Sequence, residues 1–173
     1  MLAACTGRDP YVYASRVQNS GNWTIERQTD KITGAPISSA FLMTDKSSNG
    51  AVTFRQPAQL AIGCFKEKAT VRFAFQFRIG SNRNSVLGYR FDEIPGHEVQ
   101  GRFLQDFRNV VIEEPADVAV FLGELATAKT LYVRIRSLNA GRTAADFQVE
   151  GAPAAIDAVL AQCPLERARS AAG

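Results

Sequence analysis

The sequence predicts a mainly β protein, an antiparallel β-sandwich or curved sheet with one central helix and a short C-terminal helix. Three observations predict it. Val71, Phe73, Phe75, Phe77 and Ile79 alternate with Arg72, Ala74, Gln76 and Arg78, a period of two over a full strand length. About nine short strand-like runs are separated by turn signals, the spacing of a layered β domain. Helix-start signals combine with helical spacing in two places, after Glu113-Glu114-Pro115 and after Pro153. With 173 residues, 46% hydrophobic and 21% charged, the chain can bury the core of one domain, and no internal repeat or low-complexity linker divides it.

Residues 6 to 19 are polar apart from Tyr11-Val12-Tyr13 and read as a tether or an irregular edge segment. The domain is expected from residue 22 to 163, after a tether over 1 to 21 and before a flexible tail over 164 to 173. Trp23, the only tryptophan, opens a short alternating run ending at Thr29. Gly34 and Pro36 make a turn, and a strand follows over Ile37 to Thr44. Asp45 to Gly50 is the clearest hairpin turn, because Asn49-Gly50 supplies the positive φ that tight hairpins need. Ala51 to Arg55 then returns antiparallel, Pro57 interrupts the ladder, and Leu60 to Phe65 carries Cys64.

The strand from Thr70 to Ile79 turns at Gly80 to Asn84 and is expected to pair as a hairpin with Val86 to Asp92. Phe103 to Ile112 reads as a strand, although Phe103, Phe107 and Val111 also fit a helical stripe. Acids and a proline at Glu113 to Pro115 begin a helix to about Ala128, with Val118, Phe121, Leu122 and Leu125 on one face. Alternation resumes over Leu131 to Arg136, Asn139-Ala140-Gly141 turns, and Ala144 to Glu150 is a further strand. Pro153 to Gln162 is a closing helix that ends at Cys163.

The charge pattern narrows the function classes. A net charge of +3, with Lys and Arg scattered among Asp and Glu, lacks the basic stripe of a nucleic-acid binder. No stretch reaches the roughly 18 to 20 apolar residues that span a bilayer. The single His97, in Ile94-Pro95-Gly96-His97-Glu98, is a candidate general base with Glu98 or Asp92 to orient it, or a solvated loop residue. No serine sits in a nucleophile elbow, and one His with two separated Cys makes no closed zinc set. Asp45, Ser47 and Asn49 have the spacing of an acidic calcium loop but lack its downstream Glu, and a hairpin turn accounts for them. Arg90 and Asp92 share a strand face, where they form an ion pair, bind a polar ligand, or are simply solvated. Arg90, Asp92 and His97 are thus the candidate ligand-binding residues, with no metal and no cofactor expected.

The N-terminus adds a compartment. Leu2-Ala3-Ala4-Cys5 resembles the lipobox of bacterial lipoproteins, in which the cysteine is lipidated and becomes the mature first residue. That resemblance requires a basic and apolar export signal ahead of Met1 in the full reading frame. It also accounts for an odd count of three cysteines. With Cys5 lipidated, Cys64 and Cys163 are left as a pair, or as two small buried apolar residues. Paired, they close a loop of about 100 residues, for which chain entropy gives roughly 4 to 5 kcal/mol, and the bond persists only in an oxidising compartment.

The order of the remaining features is similar to the periplasmic type VI secretion accessory proteins called VasI or TagO. The resemblance rests on a Trp-led first strand, Leu60-Ala61-Ile62-Gly63-Cys64, Gly88-Tyr89-Arg90-Phe91-Asp92, Leu131-Tyr132-Val133-Arg134, Asp146 to Gly151, and a terminal helix with Cys163. It covers roughly Trp23 to Cys163; the stretch after Thr29 and the Pro164 ending depart from the family pattern. It implies a non-enzymatic accessory or binding protein of the periplasm with a disulfide, anchored through Cys5 and engaging another envelope protein or a cell-wall component. The alternatives are a small periplasmic hydrolase using His97, and an inhibitor or exclusion protein acting on an incoming hydrolase or phage.

Overall fold

The computed structural model describes residues 12–50, 52–80 and 84–165. Ten strands and two helices follow in order: β1 (Val12–Ser20), β2 (Trp23–Asp30), β3 (Pro36–Asn49), β4 (Val52–Phe65), β5 (Lys68–Phe75), β6 (Asn84–Phe91), β7 (His97–Phe103), β8 (Asn109–Ile112), α1 (Pro115–Leu125), β9 (Thr130–Ser137), β10 (Gly141–Gln148) and α2 (Ala152–Leu160). The sheet order is β1-β2-β3-β10-β9-β6-β7-β8-β5-β4, and β4 pairs again with β3. The last pairing closes eight antiparallel strands into a barrel and leaves β1 and β2 as an extension. Closure is more specific than the sandwich or curved sheet expected, and it removes the edges that an open sheet exposes.

One long strand builds both parts. β3 pairs with β2 through Pro36 to Phe41 and with β10 through Ser47 to Asn49, while β4 runs along its other side. The β3–β4 register slips between Thr44 and Ser47, opposite Pro57, which has no amide hydrogen for the ladder. There β3 leaves β10, and the Thr44 hydroxyl donates to the Asp146 carbonyl at 2.6 Å. α2 covers the split, burying Ala152, Ala155, Ile156, Ala158 and Val159 and packing on β2, β3 and β4. Its small residues let it sit close to the sheet. Cys163, fully buried just beyond it, is bonded to Cys64 of β4, with 5.7 Å between Cα atoms and 99 residues between them in sequence.

The alternation seen in the sequence fills the barrel. Phe73, Phe91, Leu87, Val133, Ile135 and Phe147 are among the inward, fully buried side chains. α1 covers one mouth and sends Phe121 inward, where its ring lies 6.1 Å from Phe73, 4.9 Å from Tyr89 and 5.0 Å from Phe91 in edge-to-face contacts. Trp23, also fully buried, donates its indole N–H to the Val149 carbonyl at 3.0 Å. That bond belongs to a latch in which the β1–β2 turn sits on the β10–α2 junction. Asn22 N–H donates to the Glu150 carbonyl at 3.2 Å, and the Ser20 hydroxyl to the Gly151 carbonyl at 3.0 Å. Gly21 and Gly151 have φ of +55° and +93°, and a Cβ on either would overlap the other segment's backbone.

Several expectations are corrected. The strand with the cleanest alternation does not form a hairpin with the next one: β5 pairs with β4 and β8, and β6 with β7 and β9. After β5, Ile79 N–H donates to the Phe107 carbonyl and Gly80 leaves room for the Phe103 ring, which holds the outgoing chain against the β7–β8 turn. The result is a Greek key, in which β5 lies beside β8, the last of the three hairpin-linked strands β6, β7 and β8 that follow it in the chain. Phe103 to Ile112 is no single strand, since β7 ends at Phe103 and a turn precedes β8. Asp45 to Ser48 belong to β3, so the hairpin turn begins only after Asn49, and Gly50 does not use positive φ there. Val12 to Ser20, read as tether or edge, form β1 on β2. Pro57 bends β4 without ending it.

Candidate functional site

On the outer face of β7, β6 and β9 lies a groove of about 430 Å³ lined by Gly88, Arg90, Gly96, His97, Tyr132 and Arg134 among others. Its shape follows from register. Gly88 pairs with Glu98 on one side and Arg134 on the other, and Arg90 pairs with Tyr132. Because Gly88 has no side chain, the floor drops between flanking guanidiniums, and the Arg134 Nη2 donates to Glu98 Oε1 at 3.2 Å across it. Gly96 is needed for a different reason: a Cβ there would come within 2.9 Å of the Tyr89 carbonyl, so the β6–β7 turn folds tightly against its own strand.

The three candidate residues part company here. Arg90 lines the groove with an exposed side chain. His97 lines it too, but on strand β7 instead of a loop, and neither Asp92 nor Glu98 orients it. Its Nε2 is 2.7 Å from Glu124 Oε1 of α1, and its ring stacks on Tyr89 with 5.1 Å between centroids. The Tyr89 hydroxyl and Glu124 Oε2 are buried with no hydrogen-bond partner among the described residues. Burial, and then the carboxylates of Glu124 and Asp117, push the Tyr89 hydroxyl pKa well above its ordinary value, so it stays protonated.

Asp92 serves the fold and not the groove. In a left-handed conformation with φ of +42°, its carboxylate accepts from the Thr130 N–H at 2.8 Å, the Thr130 hydroxyl at 3.0 Å and the Lys129 N–H at 3.2 Å. It thereby caps the entry of β9. The Thr130 amide is the main cause holding its pKa below the usual 3.8, against the opposing cost of burial. A depressed carboxylate pKa adds stability above the unfolded value and loses it as pH falls through the folded one. Asp92→Asn is therefore expected to cost under about 1 kcal/mol at neutral pH after solvent screening. It should also flatten the fall of Tm between pH 5 and pH 2. Asp30, Asp106 and Glu113 are depressed in the same direction, so the fall should be reduced and not abolished. An unchanged acid limb in the variant would count against this role.

Other features resolve into structure. Ser47 and Asn49, part of the calcium-like spacing, are buried: Ser47 donates to the Gln56 carbonyl at 2.6 Å, and Asn49 to the Ala140 carbonyl at 2.8 Å. Among the described residues no cluster of three or more His, Cys, Asp or Glu is placed to hold a metal ion. No helix of the described residues is long and apolar enough to cross a membrane. A larger cleft, about 620 Å³, follows the β3–β10 split past Met43, Thr44 and Gln148, and an apolar one of about 290 Å³ runs over Ala61, Gly63 and Val111. The first is bordered by Asp45 and Lys46 and the second by Arg72, Arg102 and Glu113, and neither includes one of the candidate residues Arg90, Asp92 and His97. Cys5 lies outside the described residues.

Sequence reasoning missed Tyr132 and Arg134 as groove residues and Glu124 as the partner of His97. Tyr132, Arg134 and Arg136 do occupy alternate positions of one strand, which is a legible signal, but nothing local says which strand lies beside them. No family model and no curated protein matches the sequence. Among solved structures, the fold is similar to the crystal structure of invasion associated protein B from Bartonella henselae. The two share 12% identity over 85% of this chain and 97% of the other, with a TM-score of 0.56. At that identity the likeness is one of fold.

Proposed function

We propose that this chain is an extracytoplasmic, non-enzymatic binding domain, tethered to a bacterial membrane by lipid on Cys5, that serves another envelope protein as an accessory. The observation that carries the reading is the Cys64–Cys163 bond, which fastens α2 over the split in the barrel. A bond of this kind endures where thiols are oxidised and is rare in a reducing cytosol. Its formation leaves Cys5 as the one remaining cysteine, in keeping with the lipobox resemblance. The groove supports binding over hydrolysis, because it brings guanidiniums and an aromatic ring together while His97 is held by Glu124. The VasI or TagO resemblance agrees with an envelope accessory role.

Fractionation of cells making the protein with its native upstream region tests the reading. The wild type should partition with membranes and carry a lipid adduct, with no free thiol at Cys64 or Cys163 under non-reducing mass measurement. Cys5→Ala should release it. An unlipidated wild type that fractionates like Cys5→Ala removes the anchor, and two free thiols remove the compartment.

A further inference from the structure

One end of the barrel holds out two large apolar side chains that the core does not use. The β2–β3 and β4–β5 turns both lie at this end, since Thr29 pairs with Pro36, Ser39 with Gly63 and Phe65 with Lys68. Ile32, on the first turn, is 80% exposed, and Phe65, at the second, is 61% exposed. Local structure holds both of them out. Asp30 Oδ1 accepts from the Ile32 and Thr33 amides at 2.7 and 3.0 Å, which fixes Ile32 at the tip and occupies that carboxylate within its own turn. The second turn runs through Lys66 and Glu67 at φ of +49° and +63°, where asparagine and glycine are the unstrained choice. Strain of this kind is kept where the side chains serve something besides the turn. The Lys66 ammonium is 5.5 Å from the centre of the Phe65 ring, and Lys31 and Lys68 are exposed in the same two turns, against Asp30 and Glu67.

Apolar tips flanked by lysines fit a membrane surface, where the apolar group enters the acyl boundary and the ammonium stays among the headgroup phosphates. The reach of the chain selects this end over the other. β1 begins here, because Val12 pairs with Asp30. Cys5 precedes Val12 by seven residues, which extend at most about 25 Å. β3, with 14 residues, runs roughly 45 Å to the opposite end. That end has exposed apolar residues of its own, Phe54 and Leu138, near turns joined by the bond from Asn49 to the Ala140 carbonyl. A lipid on Cys5 cannot stand the molecule on Phe54 and Leu138, whereas it sets Ile32 and Phe65 against the bilayer.

We propose that the β2–β3 and β4–β5 turns form a second membrane contact, with Ile32 and Phe65 entering the surface of an anionic bilayer and Lys31, Lys66 and Lys68 meeting its phosphates. The choice of end rests on the reading of Cys5 as lipidated. The test is cosedimentation of the full-length, disulfide-intact Cys5→Ala chain with vesicles of equal parts phosphatidylglycerol and phosphatidylethanolamine, so that the surface is read without the lipid. The chain should bind, and salt should weaken the binding. Adding Ile32→Ser and Phe65→Ser should lower the partition coefficient at least tenfold. Adding Phe54→Ser and Leu138→Ser instead, at positions 74% and 94% exposed, should change it less than twofold. Both sets should melt within about 2 °C of their parent, as exposed substitutions do. A chain that does not bind the vesicles overturns the proposal, and so does one that loses binding with Phe54 and Leu138 but not with Ile32 and Phe65. Fractionation of the wild type judges the lipid separately: a missing adduct removes the anchor, while the vesicle measurement still decides whether this end meets a membrane.

Discussion

Replacing Cys64 and Cys163 together with alanine is expected to lower stability by roughly 4 to 5 kcal/mol, the chain-entropy value for a loop of this length. For a chain of this size that corresponds to a fall in Tm on the order of 10 °C. The bond joins residues 99 apart and is the covalent fastening of α2 over the place where β3 leaves β10. Without it, α2 is held by the packing of Ala152, Ala155, Ile156, Ala158 and Val159 and by the latch at its N-terminal end. Opening of α2 would admit water to Ile25 and Trp23, which are fully buried. Thermal unfolding with and without reductant measures the effect. A shift of less than about 1 °C would mean that the helix is secured by packing and that the bond is incidental to stability.

Gly151→Ala should be the most damaging single small substitution, at about 3 kcal/mol. Part of this comes from the positive φ of +93°, which an L side chain reaches only at a cost of about 1 to 2 kcal/mol. The rest is steric: the new methyl would overlap the Ser20 carbonyl, and moving either backbone costs a further 1 to 3 kcal/mol or so. Gly21→Ala meets the Glu150 carbonyl from the other side of the same contact. Once either methyl has pushed the β1–β2 turn off the β10–α2 junction, the second adds less. The double variant should therefore be less destabilised than the sum of the single ones, by about 1 kcal/mol or more in urea unfolding. Strict additivity would show that the two glycines do not act on one shared contact.

Legibility differed sharply between elements. β2, β5, α1, β9, β10 and α2 could be read because each hides one face, and the period of its buried residues is written locally. The β4–β5 hairpin carried no such signal: it turns through Lys66 and Glu67, both at positive φ without glycine or asparagine. Its partners hold it in place, since Phe65 pairs with Lys68 and the disulfide lies at Cys64. The missed β5–β8 pairing is of the same kind. Alternation says which side of a strand is buried and is silent on its neighbour, because every inward-facing strand of a closed barrel presents a similar apolar row.

The candidate site shows this most plainly. Arg90 and His97 could be singled out by type and position, yet Asp92, on the same strand run as Arg90, became a cap for Lys129 and Thr130 through a left-handed turn. His97 acquired Glu124, 27 residues away, through the packing of α1 over the barrel mouth. By itself the sequence determined that this chain is mainly β, which residues face its core and where its helices fall, because those are set by local period and turn chemistry. Only the tertiary structure decided that the sheet closes, that β3 divides between barrel and extension, and that scattered arginines become neighbours. Those outcomes depend on long-range register, fixed by the slip near Thr44, the glycine latch and the Cys64–Cys163 bond together.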